Sequence, residues 1–98
     1  MNGVWSEPKP ATAETQGIAD KVKEAALKKL KQELFIEYKA TEYQTQVVAG
    51  MNFKIKVQVT PAIAIRDVFY ADYIQLVVYH DLKNEYSLTD ATDLGRQP

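Results

Sequence analysis

The spacing of apolar residues changes once along the chain, and this change separates a helical segment from a series of strands. From Ala13 onward, apolar residues recur mostly at every fourth position, which is typical of an amphipathic helix. Thr12 is placed to cap the N-terminus of this helix, and the helix dipole favours Glu14 in the first turn. The pattern predicts an extended arm over residues 1–11 and a helix over residues 12–33. The apolar face of this helix would consist of Ile18, Val22, Ala26 and Leu30, widened by Ala25, Leu27 and Leu34.

After the helix the period becomes two, as in strands that bury one face. A change of parity near Thr41 and Glu42 indicates a β-bulge, and a second bulge is expected at Arg66 and Asp67. Residues 82–98 are expected to form a C-terminal segment that ends in a loose tail. The clearest alternation buries Phe53, Ile55, Val57 and Val59 and exposes Lys54, Lys56 and Gln58. The predicted strands cover residues 35–48, 51–59, 62–70 and 73–81.

These elements predict the fold class. Short connections between successive strands favour an antiparallel arrangement. A single amphipathic helix must bury its apolar face on one face of that sheet. We therefore predict an α+β fold in which one N-terminal helix packs across a twisted four-stranded antiparallel β-sheet. The 98 residues provide one domain with a single core.

Composition and charge exclude several classes of function. The chain is 46% hydrophobic and 26% charged, as in an ordinary globular protein, and its net charge is −1. Such a charge gives no electrostatic reason to expect nucleic acid or a membrane surface as a partner. The absence of cysteine excludes disulfides and thiolate nucleophiles. Because the N-terminus does not resemble a signal peptide and the apolar runs are short, we expect a cytoplasmic location.

No group of residues predicts catalysis or the binding of a cofactor or metal. His80 is the single histidine, and a structural or exposed role is expected for it. The glycines stand isolated at positions 3, 17, 50 and 95, so they form no phosphate-binding loop. The carboxylates have no metal-ligand spacing, and Asp90 and Asp93 fit a solubilising tail. We expect that the protein is not an enzyme.

The turn between the first two predicted strands is unusually apolar. It contains Gln46, Val47, Val48, Ala49 and Gly50, although hairpin tips are normally polar because their backbone faces water. The glycine can adopt the positive φ that a tight turn requires. Such a tip is either covered by the N-terminal arm or available to a partner. Burial of its two valines and its alanine in a partner's groove would contribute about 3–5 kcal/mol.

Two sequence segments resemble a known family. The pentapeptide QVVAG, within YQTQVVAGMNFKIKV at residues 43–57, is similar to the signature of the cystatins. The segment SEPKPATAETQGIADKVK at residues 6–23 resembles the arm and helix of stefins, which are small cystatins without cysteine or a signal peptide. The resemblance implies reversible, non-covalent inhibition of papain-like cysteine peptidases such as cathepsins. It also implies a wedge of three elements: a trunk at Gly3 and Val4, the hairpin at residues 46–50, and a second hairpin loop.

The second loop is harder to locate, because the resemblance weakens after Val59. We favour an alignment that keeps residues 62–70 as a strand, since it preserves two compact hairpins and the tail. A rival alignment treats TPAIAIRDVFYAD as an insertion and places the loop at Leu82 and Lys83. In the favoured alignment the second loop consists of Tyr70, Ala71, Asp72 and Tyr73.

Two further alternatives follow from the uneven resemblance. The chain could be an engineered stefin scaffold, made for binding or fold design, with weak or no peptidase inhibition. We expect a monomer, but straightening of the Val48–Gly50 turn would permit a domain-swapped dimer. Trp5 could pack on the sheet near the arm or join the contact made by the trunk.

Overall fold

The computed structural model describes residues 3–61 and 71–97, and within these ranges two helices pack on one face of an antiparallel sheet. The expected α+β architecture is confirmed, although the described sheet has five strands rather than four. The strands lie side by side in chain order. None of the helices in these ranges has the length and apolar character needed to cross a bilayer. The elements are β1 (Lys9–Pro10), α1 (Ala13–Lys21), α2 (Lys23–Leu30), β2 (Phe35–Val48), β3 (Gly50–Pro61), β4 (Ala71–His80) and β5 (Tyr86–Gln97).

The predicted helix begins where expected but is divided in two and ends earlier. Thr12 is the N-cap: its Oγ1 accepts from the Thr15 N–H at 3.2 Å, and the Thr15 Oγ1 accepts from the Thr12 N–H at 2.7 Å. This reciprocal pair is a capping box in which threonine replaces the usual glutamate. Val22, with φ −105° and ψ 8°, separates the two helices. The second helix ends at Leu30 because Lys31 adopts a left-handed conformation with φ 57°.

The core lies between the helices and the inner face of the sheet. The alternation predicted for β3 is confirmed, since Phe53, Ile55, Val57 and Val59 are all buried. The expected bulge near Thr41 is also present, as a register shift between Ala40 and Glu42. These buried residues meet the apolar side chains of β4 and the helices, namely Ile74, Leu76, Val78, Ile18, Ala19, Val22, Ala26 and Leu27.

Two residues that the apolar pattern placed on the inner face of the helix are exposed instead, and Ile36 in β2 is exposed as well. Ala25 lies on the outer side of α2, and Leu34 follows the helix after it has already ended. Ile36 is exposed because a register shift between Phe35 and Glu37 turns the phenylalanine inward in its place. The predicted face was wrong at Ala25 and Leu34; helix ends and bulges interrupt the periodicity on which such predictions depend.

The C-terminal half of the sheet contradicts the favoured alignment. Strand β4 pairs with β3 from Met51 opposite His80 to Val59 opposite Asp72. Ala71, Asp72 and Tyr73 therefore belong to a strand, and the prediction that they form a loop was wrong. Residues 86–97 of the C-terminal segment, which was expected to end in a loose tail, instead form strand β5, which pairs with β4 along its length. The predicted strand at residues 62–70 and its bulge lie outside the described residues.

Two polar side chains fasten α1 to the edge of β2. The Gln16 Oε1 accepts from the Ala40 N–H at 2.8 Å, and its Nε2 donates to the Tyr38 carbonyl oxygen at 3.2 Å. Gln16 thus satisfies backbone groups of β2 beyond the point where β1 ends. The Tyr38 hydroxyl donates to the Ala19 carbonyl oxygen at 2.7 Å. Burial raises the pKa of Tyr38 above its ordinary value, and the nearby Asp20 carboxylate raises it further.

We expect the Tyr38→Phe variant to lose less stability than the wild type when the pH rises above about 10. A tyrosine whose pKa is raised in the folded state contributes stability below its unfolded-state pKa, and this contribution disappears as the pH rises. Near pH 8 the variant should be less stable by about 0.5–1.5 kcal/mol, because one hydrogen bond is lost. Urea unfolding at about pH 8 and about pH 11 measures both effects. An unchanged pH dependence in the variant would contradict this prediction.

Candidate functional site

The apolar tip of the first hairpin is accessible at one end of the sheet. Val48 pairs with Gly50, so the chain reverses over Ala49 alone. Gly50 has φ +107°, as the turn prediction required. Val47 is 57% exposed and Ala49 is also exposed, whereas Val48 is half-buried. The alternative in which the arm covers the tip is therefore wrong.

The N-terminal arm runs along the edge of β2 toward this tip. The Ser6 N–H donates to the Thr45 carbonyl oxygen at 2.8 Å, and the Ser6 Oγ accepts from the Thr45 N–H at 2.9 Å. Trp5 then forms an antiparallel bridge with Gln46. Because the pairing is antiparallel, the chain before Trp5 continues toward the tip of the hairpin. Val4 lies in this preceding segment and is 71% exposed.

Trp5 packs on the sheet beside the arm, as one of the two alternatives proposed. The ammonium group of Lys54 lies 4.3 Å from the centroid of its ring. Such a cation–π contact contributes about 0.5–1 kcal/mol at a partly exposed site. The indole therefore helps to hold the arm on the sheet, one residue after the exposed Val4.

A second turn connects β4 to β5, next to the first hairpin. Its conformation is set by Asp81, whose Oδ1 accepts from the N–H groups of Lys83 at 2.8 Å and Glu85 at 2.9 Å. Asn84 takes a left-handed conformation with φ 68°, and its N–H donates to the Asp81 carbonyl oxygen at 3.1 Å. Leu82 is 81% exposed at this turn. This is where the rival alignment placed the second loop.

The two turns contact each other directly. The Tyr79 hydroxyl, near the end of β4, donates to the carbonyl oxygen of Ala49. A Cβ atom added to Gly50 would overlap the His80 carbonyl oxygen and would lie 3.3 Å from the Asp81 Cα. The first hairpin can therefore approach the second turn this closely only with glycine at position 50.

One end of the sheet thus presents three neighbouring elements with exposed apolar side chains. We call these elements the wedge: the trunk at Gly3–Val4, the hairpin tip at Gln46–Gly50, and the turn at Asp81–Glu85. The bridge between Trp5 and Gln46 brings the trunk close to the hairpin tip, and both are elements that the family resemblance implied. Leu82 belonged only to the rival alignment, and Tyr79 was missed because it alternates along its strand like any outward-facing residue.

The favoured second-loop residues lie elsewhere. Ala71, Asp72 and Tyr73 pair with Gln97, Arg96 and Gly95, at the end of β4 that is remote from the wedge. There the Arg96 Nε and the Asp72 Oδ1 form a salt bridge at 3.5 Å. Tyr70 falls outside the described residues. These positions do not extend the wedge.

His80, the histidine near the wedge, has structural partners. The Nε2 of His80 lies 2.7 Å from the Asn84 Oδ1, and its ring stacks on Tyr86 with centroids 4.1 Å apart. Across residues 3–61 and 71–97, no histidine or carboxylate cluster could hold a metal ion. The wedge consists of exposed apolar side chains carried by the arm and two neighbouring turns.

Comparison with known proteins gives a consistent family assignment. The family model described as "Cystatin domain" matches residues 3–92. Cystatin-B of Ovis aries is 41% identical over 85 residues, which cover 87% of this chain and 76% of that protein. Cystatin-A of Mus musculus is 43% identical over 89 residues, covering 89% and 81% of the two chains, respectively. Stefin-C of Bos taurus is 39% identical over 83 residues, covering 85% and 72%. The chain belongs to the cystatin family.

Proposed function

We propose that the protein is a reversible, non-covalent inhibitor of papain-like cysteine peptidases, and that its wedge enters the active-site cleft. Members of the cystatin family inhibit cysteine peptidases and are not enzymes. The observation that carries the proposal is the exposure of Val4, Val47 and Leu82 on three adjacent elements at one end of the sheet. Apolar side chains at this density, outside the core, favour a partner with a complementary groove.

The backbone of the wedge is held in place before binding, which supports tight binding. The trunk is followed by a bridge to β2 at Trp5, the tip is a one-residue reversal, and the second turn is held by Asp81. Because these backbones are ordered before association, less conformational entropy is lost on binding. Each large apolar side chain that becomes fully buried contributes about 1.5–3 kcal/mol.

The same geometry disfavours cleavage of the inhibitor. A peptidase binds its substrate as an extended segment, with the scissile bond accessible from one side. Val48 and Gly50 are paired across the turn, and the Tyr79 hydroxyl engages the carbonyl oxygen of Ala49 between them. Extension of this segment would break the end of the β2–β3 ladder, so the tip can occupy a cleft without being processed.

Titration of papain with the purified protein tests this function. We expect a stoichiometric, reversible loss of activity with full recovery of intact inhibitor. A folded monomer without inhibition would contradict the proposal and favour the alternative, an engineered stefin-scaffold binding or fold-design protein. Size-exclusion chromatography of the same sample separates the monomer from a domain-swapped dimer. A cytoplasmic location stays a prediction.

Leu82→Ser should weaken inhibition by roughly 10- to 100-fold, because Leu82 is proposed to lose its exposed surface in the cleft. The midpoint of thermal unfolding should hardly change, since the side chain makes little contact within the free protein. Leu34→Ser is the matched control: Leu34 is also exposed but lies just before β2, at the opposite end of that strand from the tip. Equal inhibition by both variants and the wild type would remove the second turn from the proposed contact.

A further inference from the structure

Tyr79 contacts the tip of the first hairpin with both its hydroxyl and its ring. The hydroxyl donates to the carbonyl oxygen of Ala49. The ring lies so close that its Cε1 would be 3.1 Å from a Cβ atom at Gly50. Ala49 and Tyr79 are 30 residues apart in the chain, so only the pairing of β3 with β4 brings them together.

The Ala49 carbonyl oxygen lies beyond the backbone ladder of its own hairpin. The last paired residues of β2 and β3 are Val48 and Gly50. The Tyr79 hydroxyl supplies a donor at the point where this ladder ends. The backbone of Tyr79 is held in place, because β4 pairs at this residue with Asn52 on one side and Ser87 on the other.

We propose that Tyr79 is a positioning residue for inhibition, which holds the Ala49–Gly50 turn in the conformation that enters the peptidase cleft. This inference rests on the proposed function and adds a residue to it that need not touch the peptidase. The hydroxyl ties the first hairpin to the strand that leads into the second turn. One hydrogen bond therefore fixes the relative position of two elements of the wedge.

The size of the effect follows from the population of the ordered turn. Without the hydroxyl, the Ala49 carbonyl can bond to water instead, and the turn can adopt other conformations. The apparent dissociation constant rises in inverse proportion to the fraction of molecules that keep the binding conformation. Loss of one hydrogen bond of ordinary net strength corresponds to a change of about 2- to 10-fold.

The experiment compares Tyr79→Phe with Tyr73→Phe. Both residues face the outer side of β4, but Tyr73 pairs with Gln58 at the far end of the strand. For each variant we would measure papain inhibition, thermal unfolding, and amide hydrogen exchange by NMR. We expect Tyr79→Phe to weaken inhibition 2- to 10-fold and to speed exchange at Val48, Ala49 and Gly50. Exchange in the core strands and the behaviour of Tyr73→Phe should match the wild type.

The outcomes separate this inference from the proposed function. If the wild type inhibits papain and Tyr79→Phe inhibits equally well, the positioning role is overturned while the function stands. If Tyr79→Phe speeds exchange throughout the sheet, its role is general stability and the inference is also overturned. If the wild type does not inhibit, the proposed function fails. The positioning role of Tyr79 in inhibition is then overturned as well, whatever amide hydrogen exchange at the tip shows.

Discussion

Replacement of Val47 with aspartate is expected to weaken inhibition of papain by at least about 100-fold, with little change in the stability of the inhibitor. The proposed complex buries this position in an apolar cleft. A carboxylate without a partner there would cost about 3 kcal/mol or more, which corresponds to roughly 100-fold in affinity. In the free protein the side chain is 57% exposed, so water can solvate the new charge. Residual activity at equilibrium and the midpoint of thermal unfolding measure the two effects.

Ile36→Asp is the matched control for this variant. Ile36 is 58% exposed, nearly the same as Val47, and lies on the same strand at the end remote from the wedge. The two substitutions add the same charge and remove a similar apolar side chain. Ile36→Asp should inhibit like the wild type. If Val47→Asp unfolds the protein instead, the tip is part of the core and the proposed contact is wrong.

Gly50→Ala is expected to disrupt the wedge from within. Its φ of +107° is unfavourable for alanine, which costs about 1–3 kcal/mol. In addition, the new Cβ would overlap the His80 carbonyl oxygen, so the first hairpin and the second turn would have to move apart. If only one molecule in ten then keeps both elements in place, inhibition weakens about tenfold. We expect a loss of this size or larger in a papain titration, accompanied by lower thermal stability.

Gly95→Ala separates the effect of backbone strain from the effect of the overlap with the second turn. Gly95 also has a positive φ, of +75°, but no atom of the described residues other than its chain neighbours lies within 4 Å of a Cβ added there. This variant should therefore lose some stability through backbone strain and keep full inhibition. If Gly50→Ala and Gly95→Ala were equally good inhibitors, close packing of the two turns would not matter for binding.

The parts of the fold that sequence predicted well depend on local rules. Thr12 caps the helix because its side chain reaches the backbone three residues later, and Gly50 turns the chain because it tolerates positive φ. The inner face of β3 follows from strict alternation of Phe53, Ile55 and Val57. The apolar tip could be recognised as a candidate site because it violates the usual polarity of turns.

The parts that sequence predicted poorly lack such local signals. Strand β5 is an edge strand in which Ala91 alone is fully buried among the described residues, so its sequence resembles a polar tail. Its order comes from pairing with β4, and that pairing also decides that Asp81–Glu85 is the second turn. Phe35 and Ile36 show the same limitation. The register shift between Phe35 and Glu37 decides that the phenylalanine is buried and the isoleucine exposed, and the sequence carries no local signal for it.

The sequence by itself therefore determined the helix start, the inward face of β3, the apolar turn at residues 46–50 and the family resemblance, because each depends on neighbouring residues or a short motif. The tertiary structure decided the register of the C-terminal strands, the place of the second turn and the contact between Tyr79 and Ala49. Strand register is set by pairing between distant segments, and a weakly alternating edge strand gives little information about it. The wedge depends on both. The residues at its tip were predicted from the sequence, and long-range strand pairing places the second turn beside them.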